Sequence, residues 1–170
     1  MILQFIIGLA VIITDQLSKF IVEKRFHLEE SIEIIKGVLR FTYVRNKGTA
    51  FGAFQGMIPV ITLMSVIAVI AIIFYFYRKN EEHSLLTKLG FTLIISGAVG
   101  NLYDRIFRGY VVDFFDFYGI WHFIFNVADV AINIGLFLMI IEFFIDKETP
   151  NEMEKNKPEN TEESSQNENS

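Results

Sequence analysis

The sequence contains no cysteine and only three histidines, and both shortages exclude classes of chemistry. Without cysteine the chain has no disulfide bond, no thiolate metal site and no cysteine nucleophile. His27, His83 and His122 lie in separate segments, with no HExxH motif and no spacing typical of metal ligands. We therefore expect neither a bound metal nor a cofactor.

Two further absences narrow the function. The sequence has no phosphate-cradling glycine loop, and nothing in it indicates nucleic-acid binding. Ser96, beside Gly97, is the one serine that suggests an intramembrane serine protease, but no histidine falls in a predicted helix interior to act as its base. The candidate catalytic groups that remain are carboxylates: Asp15, Asp104, Asp113, Asp116 and Asp129.

Long hydrophobic runs dominate the rest of the chain. Hydrophobic residues make up 52% of the 170 positions, and the mean hydropathy is +0.39, which is typical of a membrane protein. Much of the acidic charge lies in residues 147–170, which are mainly Glu, Asn, Ser and Lys. Such a segment cannot bury a core. We predict one membrane domain, residues 1–146, followed by a disordered acidic tail.

Four of the hydrophobic runs are long enough to cross a bilayer as helices. They predict transmembrane helices at residues 2–22, 57–77, 85–103 and 124–145. The region between the first two helices, about residues 25–55, has β-branched and aromatic runs at Ile32–Ile35 and Val38–Val44. The predicted fold is an all-α membrane protein with four transmembrane helices, a small β-sheet between helices 1 and 2, and a disordered C-terminal tail.

Asp15 and Lys19 lie four residues apart and therefore on one face of the first helix. One interpretation is an ion pair near the membrane surface, with Lys19 reaching outward to water. The other is that the pair faces a polar site between helices, because charges inside membrane helices are costly and mark sites.

Two later helices carry polar residues at helical spacing. In the third helix, a small and polar side allows close packing or a polar site, and it includes Arg105 near its end. In the fourth, the spacing predicts an inward-facing stripe, interpreted as part of a site or as a seam between helices. The small and polar side of the third helix consists of Ser96, Gly97, Gly100, Asn101 and Asp104. The stripe on the fourth helix consists of Asn126, Asp129 and Asn133.

Asp113 and Asp129 are the best candidates for a catalytic pair. Both are carboxylates in almost unbroken apolar sequence, and we expect the ends of helices 3 and 4 to bring them to one membrane face. Two adjacent carboxylates do not both ionise easily, so one keeps a proton while the other acts as a base on water. Asp116 ranks lower because the sequence shows no polar neighbours for it.

Five sequence blocks together resemble the bacterial lipoprotein signal peptidases (signal peptidase II), over residues 13–145. No single block is decisive, but their order and spacing on a four-helix membrane chain are specific. The blocks are Asp15-Gln16-x-Ser18-Lys19, Asn46-x-Gly48-x-Ala50-Phe51-Gly52, Gly97-x-x-Gly100-Asn101-x-x-Asp104-Arg105, Val111-Val112-Asp113-Phe114 and Phe125-Asn126-x-Ala128-Asp129.

The resemblance implies an aspartic endopeptidase that cuts lipidated prolipoproteins just before the diacylglyceryl-modified cysteine, with Asp113 and Asp129 as catalytic residues. It also implies a monomer in the bacterial cytoplasmic membrane, in contact with membrane lipids, with the sheet and the active site near the extracytoplasmic face. The residues that match the family's active-site region, as groups that bind or orient substrate, are Asp15, Lys19, Asn46, Gly48, Asn101, Asp104, Arg105 and Asn126.

Two other functions fit the residues alone. Buried carboxylates on four short helices also suit a small proton-coupled transporter, although a transporter favours a carboxylate near the middle of a helix. The other hypothesis is an assembly subunit without catalytic activity. The distribution of Lys and Arg between the connections leans weakly against the orientation that the resemblance implies, with both termini in the cytoplasm.

Overall fold

Four helices form the membrane part of the protein. The computed structural model describes residues 2–48, 56–78, 83–121 and 123–155. The predicted loop residues 49–52, His122 and tail residues 156–170 lie outside these ranges. The helices are α1 (Ile2–Arg25), α2 (Ile58–Arg78), α3 (Leu85–Phe107) and α4 (Val127–Lys155).

All four predicted transmembrane helices are confirmed. In the part of the chain that the structure describes, four helices are long and apolar enough to cross a membrane. Some boundaries differ from the prediction, and α1 continues to Arg25 instead of ending at residue 22. Helix α3 continues to Phe107, and α4 begins at Val127 instead of residue 124 and continues to Lys155, past the predicted start of the tail at 147. The sequence beyond 147 is polar but contains Glu, Lys and Met, which are good helix formers.

A four-stranded antiparallel sheet lies at one end of the helices, in the order β1-β2-β3-β4. Strands β1 (Ser31–Ile35) and β2 (Leu39–Asn46) confirm the sheet predicted between α1 and α2. Strands β3 (Val111–Asp116) and β4 (Ile124–Phe125) come from the connection between α3 and α4, outside the predicted β region at residues 25–55. The carboxylate of Asp113 is therefore supplied by a strand and not, as predicted, by the end of a helix.

The sheet packs against the end of α1. Val22, Tyr43, Val112 and Phe114 are buried together, and the ring of Phe41 meets that of Phe114 edge to face, with centroids 5.8 Å apart. Because burial of such side chains contributes roughly 1.5–3 kcal/mol each, this contact fixes β2 and β3 relative to α1.

Glycines bring α3 and α4 into backbone contact. A Cβ atom on Gly97 would lie 2.4 Å from the Ala128 carbonyl oxygen, and one on Gly135 would lie 2.6 Å from the Gly90 carbonyl oxygen. The close-packing interpretation of the small residues on α3 therefore holds for Gly97. Ser96 is also buried, and its hydroxyl is satisfied within α3 by donating to the Thr92 carbonyl at 2.7 Å.

Candidate active site

Lys19 lies at the centre of a polar cluster between the helices. Its Nζ is 2.8 Å from Asp15 Oδ2, 2.9 Å from Asp104 Oδ2 and 3.0 Å from Asn101 Oδ1. Lys19, Asp15 and Asp104 are each 0% exposed. The expectation that the pair on α1 faces a polar site between helices is confirmed, and the alternative that Lys19 reaches outward to water is wrong.

Asp113 on β3 receives one hydrogen bond on each carboxylate oxygen. Asn46 on β2 donates to Oδ2 at 2.9 Å, and Asn126 donates to Oδ1 at 2.6 Å. The Gly48 N–H donates in turn to Asn46 Oδ1 at 2.9 Å, which turns the Asn46 amide so that its NH₂ faces Asp113. Gly48 thus acts on the site through Asn46.

Asp129 occupies the third position of α4 and forms a reciprocal cap with Asn126, the residue before the helix. The Asp129 N–H donates to Asn126 Oδ1 at 3.0 Å, and the Asn126 N–H donates to Asp129 Oδ2 at 3.1 Å. The other oxygen, Oδ1, accepts from Asn101 at 2.8 Å. A second carboxylate joins the cap, because the Ala128 N–H donates to Asp15 Oδ1 at 2.9 Å.

Asn126 bridges the two candidate carboxylates. Its backbone N–H binds Asp129, while its side-chain NH₂ binds Asp113 and also donates to Asn101 Oδ1 at 3.2 Å. Asn126 is fully buried, and Lys19 donates to the same oxygen of Asn101. Asp113 and Asp129 are thus connected through hydrogen bonds to one asparagine.

The electrostatic environment favours one proton on this pair. Burial, followed by the nearby charge of Asp129, raises the pKa of Asp113 to about 7, against the opposing effect of the two amide donors. Near neutral pH this carboxyl group exchanges a proton readily. Asp113 is 3% exposed, whereas Asp129 is half-buried and more accessible to water.

Arg105 lies close to the pair without being bonded to it. Its positive charge interacts with Asp129, Asp113 and Asp104, and its Nη1 makes a long, 3.5 Å contact with the Asn101 carbonyl oxygen. The Nε atom is buried and has no hydrogen-bond partner among the residues that the structure describes. A half-buried guanidinium with a free donor near two carboxylates is suited to bind an incoming carbonyl group.

Two sequence expectations are wrong. Asp116 has polar neighbours, since Arg40 Nε and Thr42 Oγ1 bind its Oδ2 at 2.6 and 2.9 Å. The Asp116 carboxylate is therefore bonded to neighbouring residues of the sheet. Asn133 does not face inward with Asn126, because it is exposed and donates to the Asp129 carbonyl at 2.9 Å.

Two residues that the sequence analysis did not select take part in the cluster. Gln16 donates to Asp15 Oδ2 at 3.0 Å and to Asp104 Oδ1 at 3.1 Å. Arg108 donates to Asp104 Oδ1, to Gln16 Oε1 at 2.9 Å and to Glu23 Oε2 at 3.1 Å. Gln16 adjoins Asp15 in a matching block, but no sequence signal singles out Arg108. Among the described residues, no group of three or more His, Asp or Glu side chains could hold a metal ion.

The bridging role of Asn126 predicts an unequal effect of two similar substitutions. Asn126→Ala removes a helix cap and a donor to Asp113, so we expect a loss of about 1–2 kcal/mol in unfolding free energy, or several degrees in Tm. Asn133→Ala, on the same helix but exposed, is the matched control, with a change within about 0.5 kcal/mol. Thermal unfolding in detergent measures both. Equal Tm values for the two variants would contradict the bridge.

Comparisons with known proteins agree with the five sequence blocks. A family model described as Signal peptidase (SPase) II matches residues 7–145. A lipoprotein signal peptidase of Fusobacterium nucleatum subsp. nucleatum is 50% identical over 134 residues, which are 79% of this chain and 81% of that protein. One of Pasteurella multocida is 43% identical over 141 residues, 80% of this chain and 85% of that protein.

A solved structure described as a bacterial membrane enzyme has the same fold. Its TM-score is 0.80 at 34% sequence identity, and the match covers 86% of this chain and 90% of that one. The resemblance inferred from the sequence blocks is therefore confirmed. This chain belongs to the signal peptidase II family.

Proposed function

We propose that this protein cuts diacylglyceryl-modified prolipoproteins immediately before the lipidated cysteine, with Asp113 and Asp129 as its catalytic dyad. Membership of the signal peptidase II family makes it a multi-pass membrane protease that removes signal peptides from prolipoproteins. The observation that carries the finer proposal is the bridge through Asn126, which holds two carboxylates close together at the beginning of α4.

The dyad supports hydrolysis through an activated water molecule. Asp113, whose pKa is raised to about 7, holds the proton, and the more accessible Asp129 is the base. Asp129 takes a proton from a water molecule while the oxygen of that water attacks the scissile carbonyl carbon. Asp113 donates its proton to the carbonyl oxygen. The C–N bond of the tetrahedral gem-diol then breaks, Asp129 donates the proton that it took from water to the leaving amine of the cysteine, and Asp113 takes back a proton from one gem-diol hydroxyl as the new carboxyl group forms. The buried donors of Arg105 and Asn126 orient the carbonyl and the dyad.

The position of the dyad suits a lipidated substrate. Asp113 lies on the sheet at one end of the bundle, and Asp129 lies in the first turn of α4. A diacylglyceryl group anchored in the bilayer would hold the scissile peptide at this level. The same position disfavours a proton-coupled transporter, which needs a carboxylate near mid-membrane. One chain supplies both carboxylates, so a monomer suffices.

The orientation that we propose has both termini in the cytoplasm of the bacterium and the sheet on the extracytoplasmic side of the cell membrane. It follows the signal peptidase II family instead of the charge distribution. A tag on the C-terminus should become accessible only after the cells are permeabilised. Labelling of the tag in intact cells would overturn this orientation.

Substitution of the dyad tests the catalytic assignment. Asp113→Asn and Asp129→Asn each remove one member of the proton-sharing pair, so we expect cleavage of a lipidated precursor to fall by at least about a thousandfold. Asp116→Asn, a buried carboxylate bonded to Arg40 and Thr42, is the matched control and should keep near-normal cleavage. Substantial cleavage by either dyad variant at normal protein level would contradict the assignment of Asp113 and Asp129 as catalytic residues.

The proton on Asp113 predicts the pH dependence of the reaction. As pH rises through about 7, Asp113 loses the proton that it donates, so kcat/KM should decline over this range. An ordinary aspartate, with a pKa near 3.9, would place that decline several pH units lower. Initial rates on a lipidated precursor between pH 5 and 9 measure this decline in kcat/KM. A kcat/KM that stays constant or increases up to pH 9 is the contrary result.

A further inference from the structure

The turn that joins α3 to β3 is bonded to a single residue on α3. The backbone carbonyl of Asp104 accepts the N–H groups of Arg108 and Gly109 at 2.8 and 3.2 Å. The carboxylate of the same residue accepts the Val112 N–H at 3.3 Å. Gly109 has φ +73°, a left-handed conformation that favours glycine and lets the chain reverse at once. Asp113 is the next residue after Val112, so its backbone is placed by Asp104.

The Asp104 carboxylate has no capacity left for a substrate. Lys19 and the Val112 N–H bind Oδ2, while Gln16 and Arg108 bind Oδ1. The residue is completely buried. It therefore acts within the protein, in contrast to Arg105, whose buried Nε has no partner in the described part of the chain.

Lys19 connects Asp104 to the other half of the site. Besides binding Asp104, its ammonium binds Asn101 Oδ1, and Asn101 Nδ2 binds Asp129. One arm from Lys19 thus leads through Asn101 to Asp129. The second arm leads through Asp104 and the Val112 backbone to Asp113.

We propose that Asp104, with Arg108 as its second counter-ion, is a positioning residue that fixes Asp113 at the distance from Asp129 at which the two carboxylates share one proton. This proposal rests on the proposed function. It assigns Asp104 and Arg108 no contact with the substrate. Displacing a reacting group by about 1 Å can reduce a rate by about a hundredfold, so a shift of β3 is sufficient to matter.

Asp104→Asn in the full-length protein tests this directly, with kcat and KM measured on a lipidated precursor. We expect kcat to fall by about tenfold to a hundredfold, with KM within about twofold of the normal value. Asp116→Asn is the control for simple loss of a buried carboxylate in the same sheet, and it should leave kcat unchanged. A raised KM with normal kcat, or equal kcat values in the two variants, would overturn the proposal.

Arg108→Gln provides a milder test if Asp104→Asn does not fold. The Arg108 side chain is 18% exposed, and Lys19 still pairs with Asp104 in this variant, so we expect a loss in kcat of about threefold to tenfold with KM unchanged. An unchanged kcat would contradict the positioning role.

Amide hydrogen exchange of β3 tests the proposal without any activity. Residues 111–113 should exchange faster in Arg108→Gln than in the normal protein, because the anchor of the turn is weakened. Unchanged exchange would overturn the positioning role even if the protein cleaves prolipoproteins. Failure of the normal protein to cleave a lipidated precursor would instead overturn the proposed function.

Discussion

One buried ammonium group, that of Lys19, holds the site together. Its three hydrogen-bond partners come from α1 and α3, and all lie between 2.8 and 3.0 Å. A lone charge in a membrane helix costs roughly 2.5–3.5 kcal/mol on insertion scales, and here the surrounding oxygens offset that cost. Breaking a buried ion pair typically costs about 3–5 kcal/mol. Loss of Lys19 would remove the cation that pairs with both Asp15 and Asp104 at the packing interface of these helices.

The beginning of α4 joins this cluster to the proposed chemistry. The first backbone N–H groups of a helix have no partner within it and need acceptors. In α4 the acceptors include Asn126 and Asp15, while Asp129 binds back to the Asn126 N–H. The carboxylate proposed as the catalytic base is therefore also part of the helix cap. The hydrogen bonds that cap this turn also hold the Asp129 carboxylate, which limits its freedom before substrate arrives.

The sequence predicted what depends on local pattern. Long apolar runs predicted the four helices, and the four-residue spacing of Asp15 and Lys19 predicted a shared polar face. Strand β3 was missed because Val111–Asp116 is a short apolar run whose strand partner, β2, lies far away in the sequence. Asp116 was ranked low for the wrong reason, since its partner Arg40 is brought close only by that pairing. Asn133 fits the helical spacing of the stripe, but the sequence does not show that packing leaves it exposed.

The proposed dyad at the membrane surface hydrolyses one peptide bond, next to a lipidated cysteine. The most direct test incubates the purified protein with a diacylglyceryl-modified precursor and with its unlipidated twin, and identifies the products by mass spectrometry. We expect a single cut before the modified cysteine, in the lipidated form alone. Equal cleavage of both forms, or a cut at another bond, would contradict it.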